Sequence, residues 1–92
     1  MSSAPGSNLD KLVETYRGYA EAITKEVLRK LPPGIDREDL HSAADLGLVE
    51  AARTFDPSRG ILFKTYAYYR IKGAIYDCLR KTGWFSKTEY KQ

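Results

Sequence analysis

The chain is short of the residues from which catalytic and metal centres are usually assembled. Its 92 residues include one cysteine, Cys78, and one histidine, His41. A single thiol cannot close an internal disulfide, which suits a reducing cytoplasm, and one Cys with one His cannot build a Cys/His metal cluster. No cofactor is expected. No run approaches the roughly 18 apolar residues of a membrane span, and the opening Met1 to Ser7 lacks the charged start and apolar stretch of a secretory signal. The expectation is a cytoplasmic protein with no membrane partner. Alternating strand patterns and internal repeats are also missing. A chain this short has one small core and no room for an enclosed cleft between domains. With His41 alone, Cys78 better explained as a small buried hydrophobe and the acids from Asp36 to Glu50 not paired over a cleft, an enzyme is not expected.

Acidic residues are scarce in one half. Residues 1–58 carry seven Lys and Arg against ten Asp and Glu, and residues 59–92 carry eight against two. The net +3 therefore joins a −3 stretch to a +6 stretch. Such asymmetry points to an acidic, protein-docking half and a polyanion-facing half. Within the basic half, Phe63, Tyr66, Tyr68, Tyr69 and Tyr76 interleave with Arg70, Lys72 and Arg80. Ring faces can stack splayed bases while cations follow phosphates, as single-stranded nucleic acid requires. The competing reading is a solvated basic helix over a tyrosine-rich core.

Spacing predicts an all-α fold: a compact bundle of three main helices with short loops. Residues 1–6 read as a flexible leader and 7–92 as a single domain. Ser7 with Asp10 suggests a capping box, and Leu9, Val13, Tyr16, Ala20, Ile23, Val27 and Leu31 recur at gaps of three and four, giving a helix to about residue 31. Pro32-Pro33-Gly34 stops it. Asp36 is placed to cap a second helix with the apolar row Leu40, Ala44, Gly47, Ala51 and Phe55 and a seam of small residues, Ala43, Ala44, Gly47, Ala51 and Ala52. Asp56-Pro57-Ser58-Arg59-Gly60 reads as a turn. The third helix is expected from about Lys64 to Lys81, with Ala67, Ile71, Ala74, Ile75 and Cys78 as its core stripe and Gly83 to end it. Tyr69, Lys72, Tyr76 and Arg80 form a separate row on it, flanked by Tyr66 and Gly73.

Three ordered blocks carry a further signal. These are Asp39-Leu40-His41-Ser42-Ala43-Ala44-Asp45-Leu46-Gly47-Leu48-Val49-Glu50-Ala51-Ala52, then Phe55-Asp56-Pro57-Ser58-Arg59-Gly60, then Phe63-Lys64-Thr65-Tyr66-Ala67 with Arg70-Ile71-Lys72-Gly73-Ala74-Ile75. Together they resemble region 2 of bacterial sigma-70 family sigma factors, and the wording from Tyr69 to Asp77 is most similar to the flagellar and sporulation subgroup. The resemblance implies region 2.1 at about 7–31, region 2.2 at about 36–56, regions 2.3 and 2.4 at about 57–82, and a tail at 83–92. It implies docking of the second helix on the clamp helices of the largest (β′) subunit of core RNA polymerase through Asp39, Ser42, Ala43, Asp45, Leu46 and Val49. Ser42 departs from the glutamine usual there.

The resemblance further implies promoter DNA as a partner, mainly its non-template single strand. A flipped non-template adenine of the −10 element would be captured by Ile61, Phe63, Thr65, Tyr66 and Tyr69, with Arg70, Lys72 and Arg80 toward phosphates and Gly73 and Tyr76 toward the upstream edge. Where housekeeping members have a Trp pair, this chain has Tyr69-Arg70. An anti-sigma factor is a further expected partner, and the alternative function is a protein-only helical adaptor. Trp84 and Phe85 in the tail are expected either to cover the bundle or to meet a partner.

Overall fold

The computed structural model describes residues 8–82, and within them the chain forms three α-helices and one short 3₁₀ turn with no strand. The helices are α1 (Asn8–Arg29), α2 (Arg37–Thr54) and α3 (Phe63–Lys81), with the 3₁₀ turn at Pro57–Arg59 between α2 and α3. The expected Ser7 cap, the leader, the Gly83 stop and Trp84-Phe85 lie outside the described residues.

Local chemistry sets each boundary. The last turn of α1 tightens as the amides of Lys30 and Leu31 donate to the carbonyls of Val27 and Leu28 at 3.0 and 3.1 Å. Pro32 and Pro33 then bar continuation, and Gly34 turns the chain at φ 104°, where a side chain would be strained. Asp36 caps α2 as expected: its carboxylate accepts from the amides of Glu38 and Asp39 at 3.0 and 3.4 Å. Asp56 repeats the device on the 3₁₀ turn, accepting from the amide and hydroxyl of Ser58 at 3.0 and 2.7 Å. Those hydrogen bonds, the hydroxyl's first, hold its carboxyl below the usual range. Gly60 closes the turn at φ 79°. The start of α3 has no side-chain cap. Its end has one, the Thr82 hydroxyl donating to the Leu79 carbonyl at 2.9 Å.

The core joins Ala20, Ile23 and Val27 of α1 to Leu40, Ala44, Leu48 and Ala51 of α2 and Phe63, Ala67, Ile71, Ile75 and Leu79 of α3. Among the described residues Thr24 is the buried polar one, and its hydroxyl is satisfied by the Ala20 carbonyl at 2.9 Å. Several stripe assignments shift. Leu9 is exposed, Phe55 is only half-buried, and Leu48 takes a core place that the expected α2 row left out. On α3, Ala74 and Cys78 are half-buried, whereas Phe63 and Leu79 are buried. The buried α3 residues step by four from Phe63 to Leu79, and such a ridge winds around the helix axis, so the inward side changes along its length.

The small-residue seam packs as its composition suggests. A Cβ added at Gly47 would lie 3.0 Å from the Ala74 Cβ, 3.0 Å from the Arg70 carbonyl oxygen and 3.1 Å from the Ile71 Cα. At this point α2 rests on the backbone of α3, and only glycine permits that approach.

Candidate nucleic-acid interface

Close helix contact at Gly47 leaves the longer side chains beside the seam overhanging one cleft, and a second cleft lies at the end of α2. The larger is an open groove of about 750 Å³ between α2 and α3. Asp39, Ser42, Ala43 and Leu46 come from its α2 wall, and Tyr69, Arg70, Gly73 and Arg80 from its α3 wall. Residues expected to serve two different partners thus face each other across one groove. Asp45 is exposed and Val49 half-buried, and neither lines it. Leu46 and Tyr69 are 59% and 68% exposed, large apolar surfaces that no helix covers among the described residues.

The charges of the groove are mixed. Arg70 reaches Glu50 at 3.7 Å, and Asp77 receives Arg80 at 3.6 Å and Lys81 at 3.3 Å. Such exposed pairs add little stability but they lower the net field available to a polyanion. Cys78 lies in the same groove, its thiol 3.9 Å from the Asp39 carbonyl oxygen. Burial, then the nearby Asp39 and Asp77 carboxylates, push that thiol above its ordinary pKa, so it is a poor nucleophile.

The smaller cleft is a more enclosed pocket of about 270 Å³ at the C-terminal end of α2. It is lined by Thr54, Phe55, Asp56, Arg59, Ile61 and Tyr66. The volume falls just below the roughly 300–1,000 Å³ of ordinary small-molecule pockets, which suits a single planar heterocycle. Tyr66 contributes an aromatic ring, which Phe55 meets at 5.7 Å in a tilted contact, Ile61 an apolar side chain, and Asp56 with Arg59 opposite charges. The Tyr66 hydroxyl meets the Thr54 hydroxyl at 2.7 Å.

This pocket differs from the five-residue set expected from sequence. Ile61 and Tyr66 line it. Phe63 does not: the residue is 8% exposed and packs edge-on against Tyr16 at 5.0 Å and Phe55 at 5.2 Å within the core. Thr65 is exposed outside the pocket, and Tyr69 opens onto the groove. Thr54, Phe55, Asp56 and Arg59 were missed as pocket residues. The signal was present in the Phe55–Gly60 block, where the turn carries an acid and a base three residues apart, but the spacing reads equally as a simple turn.

The expected row Tyr69, Lys72, Tyr76 and Arg80 is also divided. Tyr69 and Arg80 line the groove. Lys72 instead donates to the Tyr68 hydroxyl at 3.1 Å and stands 5.1 Å over that ring, and this hydrogen bond is the main cause of its raised pKa. Around it, Tyr68 meets Tyr69 edge-on at 5.2 Å, and Lys64 lies 5.2 Å over Tyr19 of α1. Burial, then neighbouring Tyr68, raises the Tyr19 hydroxyl's pKa. Among the described residues no group of three or more His, Cys, Asp or Glu is placed to hold a metal, and no helix is long and apolar enough to cross a membrane.

Residues 12–85 match the family model described as sigma-70 region 2. The chain belongs to that family. As a region 2 domain of the flagellar type, it is 35% identical over 82 residues to the RNA polymerase sigma factor FliA of Pseudomonas aeruginosa, covering 89% of this chain and 33% of that protein. It is 45% identical over 78 residues to the RNA polymerase sigma-D factor of Bacillus subtilis, covering 82% of this chain and 31% of the relative. A third relative is FliA of Escherichia coli K12, at 34% over 76 residues, 79% of this chain and 32% of that protein. The region 2 domain therefore spans about one third of the length of the curated relatives it matches. No solved structure matches it significantly.

Proposed function

We propose that this region 2 domain acts in transcription initiation, docking through α2 on core RNA polymerase and capturing a flipped non-template base of the −10 promoter element in the pocket beneath Tyr66. The observation that carries this reading is the small pocket itself, walled by an aromatic face and an apolar side chain with a carboxylate and a guanidinium at its edge. Extracting a base from the duplex costs a few kcal/mol, and stacking on an aromatic side chain returns about 1–3 kcal/mol per base. Selection then comes from pocket shape and edge groups, while cations along α3 supply affinity that does not depend on sequence. Arg80 is exposed on the groove wall that also carries Tyr69, so a strand running past that ring can reach it by displacing Asp77.

The acidic N-terminal part of α2, with Asp39, Asp45 and the protruding Leu46, supplies a partly apolar, negatively charged face for the β′ clamp helices. Exposed Leu46 gives this face apolar area for a partner to bury. The paired test is co-purification with core polymerase. Charge reversal of Asp39 and Asp45 together should abolish co-purification while helix content stays unchanged. Undiminished recovery of the double variant would refute the docking assignment. Retention of polymerase binding with no salt-dependent binding of single-stranded promoter DNA would instead favour a protein-only adaptor or a target for an anti-sigma factor.

A further inference from the structure

Arg70 was expected to face phosphate, yet its surroundings give it other work. Its guanidinium reaches Glu50 Oε1 at 3.7 Å and sits 5.8 Å over the Tyr66 ring. The Thr54 hydroxyl donates to the Glu50 carbonyl at 2.8 Å. Because a hydroxyl has one proton to give, the 2.7 Å contact between Thr54 and Tyr66 must be donated by Tyr66. The four residues form a closed circuit: Glu50 to Arg70, Arg70 to the Tyr66 face, Tyr66 to Thr54, and Thr54 back to Glu50.

We infer that this circuit is a clasp that fixes the Tyr66 ring as the pocket wall, making Glu50 and Arg70 positioning residues rather than DNA contacts. The inference rests on the base-capture reading above. Tyr66 is held at both ends, its face by Arg70 and its hydroxyl by Thr54, with the hydroxyl proton committed to Thr54, itself a pocket-lining residue. That leaves oxygen lone pairs to accept from a donor on the captured base, such as an exocyclic amino group. Glu50 lies one helical turn after Leu46, so the helix that carries the docking residues also carries one end of the clasp. Arg70 is committed to Glu50 and Tyr66 in the free protein, and a phosphate would have to displace the carboxylate to claim it.

The test measures binding of two single strands by the region 2 domain on core polymerase. The strands carry the −10 sequence and differ only at the captured adenine, and salt is varied. Removing the Glu50 charge should, by simple electrostatics, leave DNA affinity unchanged or raise it. The clasp predicts instead that Glu50→Gln lowers the preference for the adenine strand about three- to fivefold, the scale of one exposed cation–ring contact. Arg70→Gln should lose the same preference with no change in the salt slope, and the double variant should lose no more than either single one. A salt slope reduced by about 0.7 in Arg70→Gln with the adenine preference intact would make Arg70 a phosphate contact and overturn the clasp. Preference intact in both variants but lost in Tyr66→Ala would refute the clasp alone. No preference in the unaltered domain would refute base capture and the clasp with it.

Discussion

The two sides of α3 are packed by opposite means. Toward α2 the contact is backbone on backbone at Gly47, with alanines around it, and the side chains beyond the seam frame a groove and a pocket. Toward α1 large rings fill the space: Tyr16 packs on Phe63 and on Tyr19, and Lys64 and Lys72 lie over Tyr19 and Tyr68. Small residues bring two helices close and thereby create concave surface at the edges, whereas aromatic residues spend their area on cohesion. The open groove thus arises on the side with the least side-chain volume at its centre, while the smaller pocket is lined by the Phe55 and Tyr66 rings at the end of α2.

The comparison breaks most severely at Phe63. If its ring belongs to the core, Phe63→Ala should cost about 3–5 kcal/mol of stability, read from chemical or thermal unfolding. A loss under about 1 kcal/mol would return Phe63 to the surface set. Next comes the seam. Gly47→Ala sets a methyl group against the α3 backbone at 3.0 Å, an overpacking of about 1–3 kcal/mol against which better helix propensity returns up to about 1. A net destabilisation is expected, lowering Tm by several degrees. Its counterpart is Gly18→Ala on α1, where an added Cβ meets nothing within 4 Å. That substitution should stabilise by about 0.5–1 kcal/mol. Opposite signs at the two glycines are the signature of a close seam on one side only, and equal signs would remove it.

The helices were legible because their boundaries are local: Pro32-Pro33-Gly34 stops α1, and Asp36 caps α2 through its own amides two and three residues on. The core rows were legible to the extent that one side of a helix stays inward. On α3 the inward side turns with the i, i+4 ridge, so Ala74 and Cys78 slid to the edge and Leu79 was missed. The site was less legible. Tyr66 and Ile61 belong to the pocket as expected, but Phe63 is claimed by Phe55 across the turn and by Tyr16 of α1, a ring that spacing alone cannot bring there. The pocket's other walls come from the end of α2 and the turn after it, where Asp56 and Arg59 read as turn residues until the fold sets them beside Tyr66. Likewise, nothing in the order of residues pairs Glu50 with Arg70.

Base selection in the Tyr66 pocket is tested most directly by a cycle with DNA as one partner. Affinity of the unaltered domain and of Tyr66→Ala, each bound to core polymerase and shown to be folded, is measured on a strand with the −10 adenine and on one with that adenine replaced. Loss of about 1–3 kcal/mol on the first strand and clearly less on the second is the predicted result. Tyr69→Ala, altering an exposed ring outside the pocket, should weaken both strands alike. Equal losses on the two strands for folded Tyr66→Ala would contradict base capture, leaving an aromatic, basic helix that binds single strands without choosing among bases.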